Sequence, residues 1–253
     1  LPYRKFPVFF FDNILEKVVL FGGAQYLYNY DDMWTWDGTN LQEIFPDHKP
    51  SAGIYLNAYN SNENYCLASQ GTAIGSYETS SCNRFLSETW KWDGVDWIPM
   101  TTTQHPKQNI GAGMTWDSDR DVLVLFGGYY HEPFDLEVVT DTWEFDGSTW
   151  TQKNPTHQPP ISSLETPDMV YDPVNQYTLL VTGTDPFQTW KWENDQWTLI
   201  PTTAYAGDDD PFLAYNTDEQ AVFLVKDSMT YRWTGSDWTQ SSVLETPASL
   251  MGL

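Results

Sequence analysis

The chain has 253 residues, of which 12 are lysine or arginine and 35 are aspartate or glutamate, so its net charge at pH 7 is −23. A negative charge of this size repels polyanions, which argues against nucleic acid and anionic membranes as partners. No apolar run reaches the roughly 18 residues that a membrane-spanning helix needs, so the sequence predicts no membrane insertion.

A short aromatic motif occurs five times along the chain. It consists of an aromatic residue, which we call the anchor, any residue, a second aromatic, a polar or acidic residue, and Gly or Asn. The anchors are Trp34, Trp90, Trp143, Trp190 and Tyr231, and they recur every 41 to 56 residues. Such spacings are typical of repeat architectures in which each unit buries its apolar face against the next. One domain of five units is therefore predicted over residues 1–242, with units at about 1–46, 47–100, 101–153, 154–201 and 202–242.

Each unit shows four short β signals and no segment with helical periodicity. In the third unit the predicted strands are Gly113–Asp117, Val122–Gly128, Asp141–Asp146 and Thr149–Gln152. An acidic residue before glycine predicts a tight hairpin, because glycine readily takes the positive φ that such a turn needs.

A large apolar residue follows each anchor by seven positions, which predicts the same turn length in the last hairpin of every unit. These residues are Leu41, Trp97, Trp150, Trp197 and Trp238. The two aromatics of each motif lie two positions apart, so they share one face of a strand, and another sheet must cover them. Radial stacking of the units provides that cover and protects the sheet edges.

A Gly-Gly pair closes the second predicted strand of the first and third units, in Phe21-Gly22-Gly23 and Phe126-Gly127-Gly128, and the anchor follows about a dozen residues or more later. This pattern resembles Kelch repeats of the bacterial, exported type. The other three units depart from it, with Gln70-Gly71, Thr182-Gly183 and Lys226-Asp227 at the corresponding place. The resemblance implies an all-β, five-bladed β-propeller of four-stranded antiparallel blades that run outwards from the axis.

Residues 243–253 form a tail beyond the fifth unit. Its sequence LETPAS at 244–249 copies LETPDM at 164–169, the lead-in to the fourth unit, as if a further blade began there. The tail is expected to close the ring or to contact a neighbouring molecule, unless the chain is cut from a longer protein.

The two cysteines, Cys66 and Cys82, lie sixteen positions apart in a stretch rich in Ser, Thr and Asn. Together with the acidic composition and the many Trp, Tyr and Asn residues, they predict a secreted or cell-surface protein with one disulfide between them. Two free thiols are the alternative.

The resemblance also implies that the links between blades and the loops joining second to third strands share one face of the disc. Such loops are long in the first three units, at residues 24–31, 72–87 and 129–140, and two of them are rich in tyrosine. Tyrosines beside polar residues combine flat apolar area with hydrogen-bonding groups, which suits a glycan or a protein ligand. The predicted ligand-binding residues are Tyr26, Tyr28, Tyr30, Tyr129, Tyr130, His131 and Glu132. Alternatively, the tyrosines at 26, 28 and 30 extend a strand and pack against the next blade.

All four histidines fall on that same face. His48, His105 and His157 follow their anchors by 14 or 15 residues, and His131 lies in the third long loop. Several imidazoles around one centre would suit zinc, copper or iron. The alternative is that they are solvated loop residues beside prolines.

No nucleophile, phosphate-loop or zinc-protease motif is present. The leading hypothesis is therefore a non-enzymatic, exported binding or adhesion module without a cofactor, which recognises a glycan or a protein through the loop face of blades one to three. One alternative is a metal-dependent enzyme that uses the four histidines. Another is a structural subunit of a surface assembly or filament that associates through the tail.

Overall fold

Each of the five units folds into a four-stranded antiparallel sheet whose strands pair in chain order, which confirms the predicted blades. The structure is a computed structural model that describes residues 1–25, 28–73, 84–107, 110–132, 135–161, 166–182, 187–203, 212–226 and 229–241. The tail predicted at 243–253 lies outside these residues. Among them, no helix is long and apolar enough to cross a membrane.

Within each blade the strands follow one another in chain order from the axis outwards. Blade one contains β1 (Val8–Asp12), β2 (Lys17–Phe21), β5 (Met33–Trp36) and β6 (Leu41–Ile44). Blade two contains β7 (Ile54–Asn60), β8 (Tyr65–Ala73), β9 (Arg84–Trp92) and β10 (Trp97–Met100). Blade three contains β11 (Gly113–Asp117), β12 (Val122–Phe126), β15 (Thr142–Phe145) and β16 (Trp150–Lys153). Blade four contains β17 (Asp168–Asp172), β18 (Tyr177–Thr182), β19 (Gln188–Glu193) and β20 (Gln196–Ile200), and blade five contains β21 (Phe212–Asn216), β22 (Ala221–Lys226), β23 (Met229–Trp233) and β24 (Trp238–Gln240).

The long loops of blades one and three form small hairpins. They are β3 (Ala24–Gln25) with β4 (Tyr28–Asn29), and β13 (Tyr129–Glu132) with β14 (Asp135–Val138). In blade two the corresponding residues instead lengthen β8 and β9, whose pairing shifts register between Ser69 and Gly71. The loop predicted at 72–87 is therefore strand at both of its ends.

The blades are arranged around an axis lined by their first strands. Strand β1 contacts β7, β7 contacts β11, β11 contacts β17, and β17 contacts β21. This is the propeller arrangement, so the predicted all-β fold class of five four-stranded blades is confirmed.

The aromatic motif packs each of blades two to five against the blade before it. The second aromatic of the motif and the residue seven after the anchor are cross-strand neighbours, as in Trp192 and Trp197, whose ring centroids are 5.1 Å apart. Both sit in a core cluster with Val124 and Phe126 of blade three. All eight such residues in these blades are buried, namely Trp92, Trp97, Phe145, Trp150, Trp192, Trp197, Trp233 and Trp238. Large aromatic rings dominate the energetics of such interfaces.

Buried indole N–H groups are satisfied in a repeating way. Trp150 donates from Nε1 to Thr89 Oγ1 of blade two at 3.3 Å, and Trp197 donates to Thr142 Oγ1 of blade three at 2.8 Å. Trp238 donates in the same way to Thr189 Oγ1 at 2.9 Å. In these three interfaces the acceptor is the residue before an anchor, so one blade supplies the hydroxyl that the next blade's indole needs.

Side-chain caps fix the hairpin turns. In the last turn of blade three, Asp146 Oδ1 accepts hydrogen bonds from the backbone N–H groups of Ser148 at 2.9 Å and Thr149 at 2.8 Å, while Gly147 has a φ of 89°. The equivalent turn of blade four joins Glu193 to Gln196 through two residues of positive φ, Asn194 at 52° and Asp195 at 59°. This explains why the motif ends in Gly or Asn, the residues that tolerate positive φ most readily.

Cys66 does not form the predicted disulfide. It is a free thiol in β8, fully buried in the core cluster between blades one and two beside Phe21 and Trp97. Burial raises the pKa of this thiol well above its ordinary value. Cys82 lies outside the described residues. The prediction was wrong because composition and spacing do not show which face of a strand a cysteine occupies, and Cys66 faces the neighbouring blade.

Candidate functional site

A cavity of about 400 Å³ opens at the axis, on the side where the first strands of the blades begin. Blade links and the β13–β14 hairpin reach this side. It is therefore the face on which the sequence analysis predicts ligand binding. The walls are mainly apolar, with contributions from Pro7, Ile54, Leu56, Ala112, Met114 and Pro167. A concave, mostly apolar pocket with few polar groups is the usual form of a ligand site.

Asp168, the first residue of β17, is the one carboxylate among the described residues that line the cavity. Its Oδ1 accepts a hydrogen bond from the backbone N–H of Met169 at 2.9 Å, and its Oδ2 accepts one from the N–H of Leu213 at 2.6 Å. The second bond ties the first strand of blade five to blade four. Asp168 thus joins two blades and borders the cavity.

The surroundings of Asp168 disfavour its charged form. Part of its surface faces the cavity, and the packed walls shield it from bulk water. Burial therefore raises the pKa of its carboxyl from 3.8 to about 6, although the two backbone N–H donors partly offset this effect. Among the described residues, no cationic side chain forms an ion pair with it. Perturbed, unpaired ionisable groups in clefts are candidates for function.

The sequence contains a signal for Asp168 that the aromatic motif does not carry. In each blade an Asp or Asn caps the first hairpin, and the residue four positions earlier lies in the first strand; it is the first residue of that strand in every blade except blade two, where β7 begins two residues sooner. The residue at this position is uncharged in the other four blades, where it is Val8, Leu56, Gly113 or Phe212. When the five blades are aligned on the capping residue, Asp168 is the single carboxylate at this position. The position faces the axis or a neighbouring blade.

The other polar groups around the cavity are largely occupied. Asn57 joins blades one and two, because its Nδ2 donates to the carbonyl oxygen of Phe9 at 3.3 Å and its Oδ1 accepts from the N–H of Phe9 at 3.4 Å. Tyr55 donates from its hydroxyl to the carbonyl oxygen of Ser51 at 2.9 Å. Among the described residues of the lining, Asp168 is therefore the carboxylate, and no cationic side chain pairs with it.

The predicted tyrosines occupy different environments. Tyr129 is half-buried and lines the cavity. Tyr30 has a structural role, since the guanidinium of Arg4 lies 4.3 Å from its ring centroid and its hydroxyl donates to Gln25 Oε1 at 3.0 Å. Tyr28 is 73% exposed in β4 and does not line the cavity. Tyr26 lies outside the described residues, as do the side chains of Tyr130, His131 and Glu132 in β13.

The histidines make separate contacts. His105 Nδ1 lies 3.1 Å from the carbonyl oxygen of Pro106, and His157 Nδ1 lies 3.1 Å from Thr156 Oγ1. His48 binds Asp96 of blade two, with 2.6 Å between His48 Nδ1 and Asp96 Oδ2. Within the part of the chain that the structure describes, no three His, Cys, Asp or Glu side chains lie close enough together to hold a metal ion. The side chain of His131 lies outside that part.

His48 belongs to a repeated contact between a link and the last hairpin of the blade that follows it. Its backbone N–H donates to Asp96 Oδ1 at 2.7 Å. Thr203 makes the same pair of contacts with Asp237, through its N–H at 2.8 Å and its Oγ1 at 2.5 Å. The position of His48 after its anchor is thus explained by docking of the link.

The hydrogen bond to Asp96 raises the pKa of His48 above 6.5. The ion pair therefore stabilises the fold fully below pH 6.5, and this stabilisation is lost as the pH rises through the folded-state pKa. We expect Asp96→Asn to lower the pKa of His48 towards 6.5, as measured by an NMR titration of the imidazole. Asp47→Asn is the matched control, because Asp47 contributes least to the shift. Equal His48 titrations in wild type and Asp96→Asn would contradict this assignment.

Comparison with protein-family models and with curated proteins finds no match for the chain. The function must therefore be argued from the cavity, from Asp168 and from the charge of the molecule.

Proposed function

We propose that this chain is a binding module, a Kelch-like propeller that holds its ligand in the axial cavity. The observation that carries this proposal is the carboxylate of Asp168, which borders an apolar cavity without a cationic partner among the described residues. The two neighbouring N–H groups position the carboxylate but supply no countercharge. A ligand that brings a cation into the cavity would supply it.

The chemistry of the site favours a basic segment of a protein as the ligand. With a pKa of about 6, Asp168 is mostly ionised at pH 7, and a shielded charge is costly until it is paired. Lysine and arginine carry a charged head on an apolar stem, which matches an apolar wall that ends in a carboxylate. The net charge of −23 also attracts basic partners over a distance.

Glycan binding is the second candidate, and the exposure of Tyr28 favours it. An exposed tyrosine ring on the link face offers a flat apolar surface to a sugar. The site would then lie on the β3–β4 hairpin and not in the cavity. Tyr28→Ala would abolish such binding, whereas Asp168→Asn would leave it unchanged.

Export to the cell surface and membership of the Kelch repeats remain part of the proposal. The acidic, aromatic-rich composition and the Gly-Gly pairs support them. The free thiol of Cys66 removes the disulfide from that support.

Short peptides with one lysine between two leucines, and the same peptides with glutamine in place of lysine, test the proposal. We expect the lysine peptides to bind at pH 7.5 at least about ten times more tightly in isothermal titration calorimetry, since one favourable charge-assisted contact is worth about 1.5–3 kcal/mol. Asp168→Asn should remove this preference. Asp237→Asn, which changes a half-buried carboxylate away from the cavity, should retain it.

Two results would overturn the proposal. One is a lysine preference that survives Asp168→Asn, because the cation would then bind elsewhere on the acidic surface. The other is binding of a glycan on an array that Tyr28→Ala abolishes and Asp168→Asn does not affect. The latter would transfer the site to the hairpin of blade one.

A further inference from the structure

The interface between blade five and blade one differs from the other blade interfaces. Each blade has a leading face, which packs on the blade before it, and a trailing face, which packs on the blade after it. Among the described strands, β21 and β1 do not make the close contact that joins every other pair of successive first strands. The leading face of blade one and the trailing face of blade five therefore border an open seam.

The leading face of blade one is apolar and exposed. Phe9 and Phe11 are each 52% exposed, whereas Met169 and Tyr171, their counterparts in blade four, are buried. At the outer edge Leu41 is 46% exposed, in the position where the other four blades bury a tryptophan. Exposed apolar groups that form one contiguous face usually mark a surface that another segment covers.

The trailing face of blade five is open as well. Phe212 is 63% exposed, whereas its counterpart Val8 is fully buried between blades one and two. Thr230 precedes the anchor of blade five, so it corresponds to Thr89, Thr142 and Thr189, the hydroxyl acceptors of three other interfaces. Blade one has Leu41 where an indole donor would stand, and leucine has no N–H to donate. The two faces therefore lack the indole–hydroxyl hydrogen bond that would join them directly.

We propose that residues 248–252 of the tail lie in this seam as an additional first strand between β21 and β1. The described chain ends at Ser241, directly after β24, and the N–H of Ser241 donates to the carbonyl oxygen of Thr230 at 2.8 Å. The seven residues 241–247 can span about 23 Å when extended. A blade measures only about 14 Å from its outermost to its innermost strand, so the tail reaches the axis.

The sequence of the tail supports this placement. Thr246 and Pro247 match Thr166 and Pro167, which pack closely on the preceding blade, at Gly111 in its lead-in and at Gly113, the first residue of β11. The copied segment is thus one that contacts the blade before it in the fold.

The alternation of residues in the tail also suits a strand with two covered faces. When Ala248 is aligned with Asp168, Ser249 and Met251 face blade five, and Ala248 and Leu250 face Phe9 and Phe11. Leu250 would then cover the apolar surface that blade one exposes. Because the added strand lies at the axis, Leu41 stays exposed at the outer edge.

Chemical cross-linking in the full chain tests the placement. Two double variants are made in a Cys82→Ser background, Leu250→Cys with Phe11→Cys and, as a control, Leu250→Cys with Val95→Cys. Val95 serves in the control because it is exposed in the last turn of blade two. Both variants are treated with a short bismaleimide. We expect an intramolecular product for the first pair only. A product that joins two chains would overturn the proposal and assign the seam to a second copy, and absence of any product would overturn it as well.

Substitutions in the tail provide a second readout. We expect Leu250→Asp to raise the fluorescence of an apolar dye about twofold or more and to lower the midpoint of thermal unfolding. Leu253→Asp, which adds the same charge beyond the strand, should change neither. Equal responses to the two substitutions, or no response to Leu250→Asp, would contradict the placement.

Discussion

Replacing Trp197 with alanine is expected to lower the free energy of unfolding by about 3–5 kcal/mol, the range for removing a large aromatic from a core. Trp197 is buried against Phe126 of blade three, with ring centroids 5.1 Å apart, and its ring also packs at a tilt of 45° against that of Trp192. The substitution leaves a cavity between two blades and an unpaired hydroxyl at Thr142. Chemical denaturation followed by intrinsic fluorescence measures the loss.

Leu41→Ala is the matched control, because Leu41 holds the same position in blade one and is 46% exposed. We expect it to cost less than about 1 kcal/mol, since little apolar area leaves water there on folding. A loss as large as that of Trp197→Ala would show that blade five covers Leu41 in solution, and the open seam would then be wrong.

The hydrogen bond of Trp197 can be separated from its packing. Trp197→Phe keeps an aromatic ring and removes the donor, while Thr142→Val removes the acceptor. A double-mutant cycle on these two residues should give a coupling of about 1 kcal/mol, the usual net value of a neutral hydrogen bond. The remainder of the loss in Trp197→Ala then belongs to packing.

Local chemistry made the blades predictable from the sequence. The alternation of aromatics defines a strand with one covered face, and the acidic-Gly turn fixes its partner, as Asp146 and Gly147 show. Both signals act over a few residues; the alternation recurs in every blade, and the acidic-Gly turn recurs in blades one to three. Repetition of the aromatic motif every 41 to 56 residues favours radial stacking as the arrangement that buries all copies.

The candidate site depends on contacts between residues far apart in the sequence. Asp168 becomes a cavity residue only because residues near 7, 55 and 112 meet it at the axis. His48 illustrates the same limit, since its position is set by the docking of its link on Asp96. Periodicity places residues on a face of the disc, but it does not show which of them converge.

Cys66 and the seam show a further limit of repeat analysis. The motif identifies Leu41 of blade one as the residue equivalent to the tryptophans of the other four blades. It does not show that this leucine lies on an exposed face, the one that borders the seam. Likewise, the burial of Cys66 follows from the apolar partners that blade one places opposite β8. The exposure of Leu41 and the burial of Cys66 both depend on the side chains of the neighbouring blade. The sequence of one repeat does not contain that information.

Substituting Asp168 with asparagine is expected to make the stability of the protein less sensitive to pH. The folded-state pKa of about 6 lies above the ordinary 3.8, so the folded protein holds this proton more tightly than the unfolded chain does. The resulting stabilisation is fully present below pH 3.8 and is lost as the pH rises through about 6. The gap corresponds to about 3 kcal/mol, and the contact of Asp168 with the cavity reduces the expected value to about 2–3 kcal/mol.

The measurement is the free energy of unfolding of Asp168→Asn minus that of wild type, determined at several pH values. The subtraction at each pH cancels the contributions of the other carboxylates to the pH dependence. This difference should rise by about 2–3 kcal/mol between pH 4 and pH 7. The loss of one of the two hydrogen bonds from Met169 and Leu213 lowers it by about 1 kcal/mol at every pH, which shifts the curve without changing its slope.

Asp237→Asn provides a control of opposite sign. The hydrogen bond from Thr203 holds the pKa of Asp237 below 3.8, so its ionised form stabilises the fold at neutral pH and this contribution is lost as the pH falls. The stability of Asp237→Asn relative to wild type should therefore fall as the pH rises, whereas that of Asp168→Asn should increase. Parallel curves for the two variants would mean that Asp168 is solvated like a surface carboxylate, and the electrostatic basis for cation binding in the cavity would be lost.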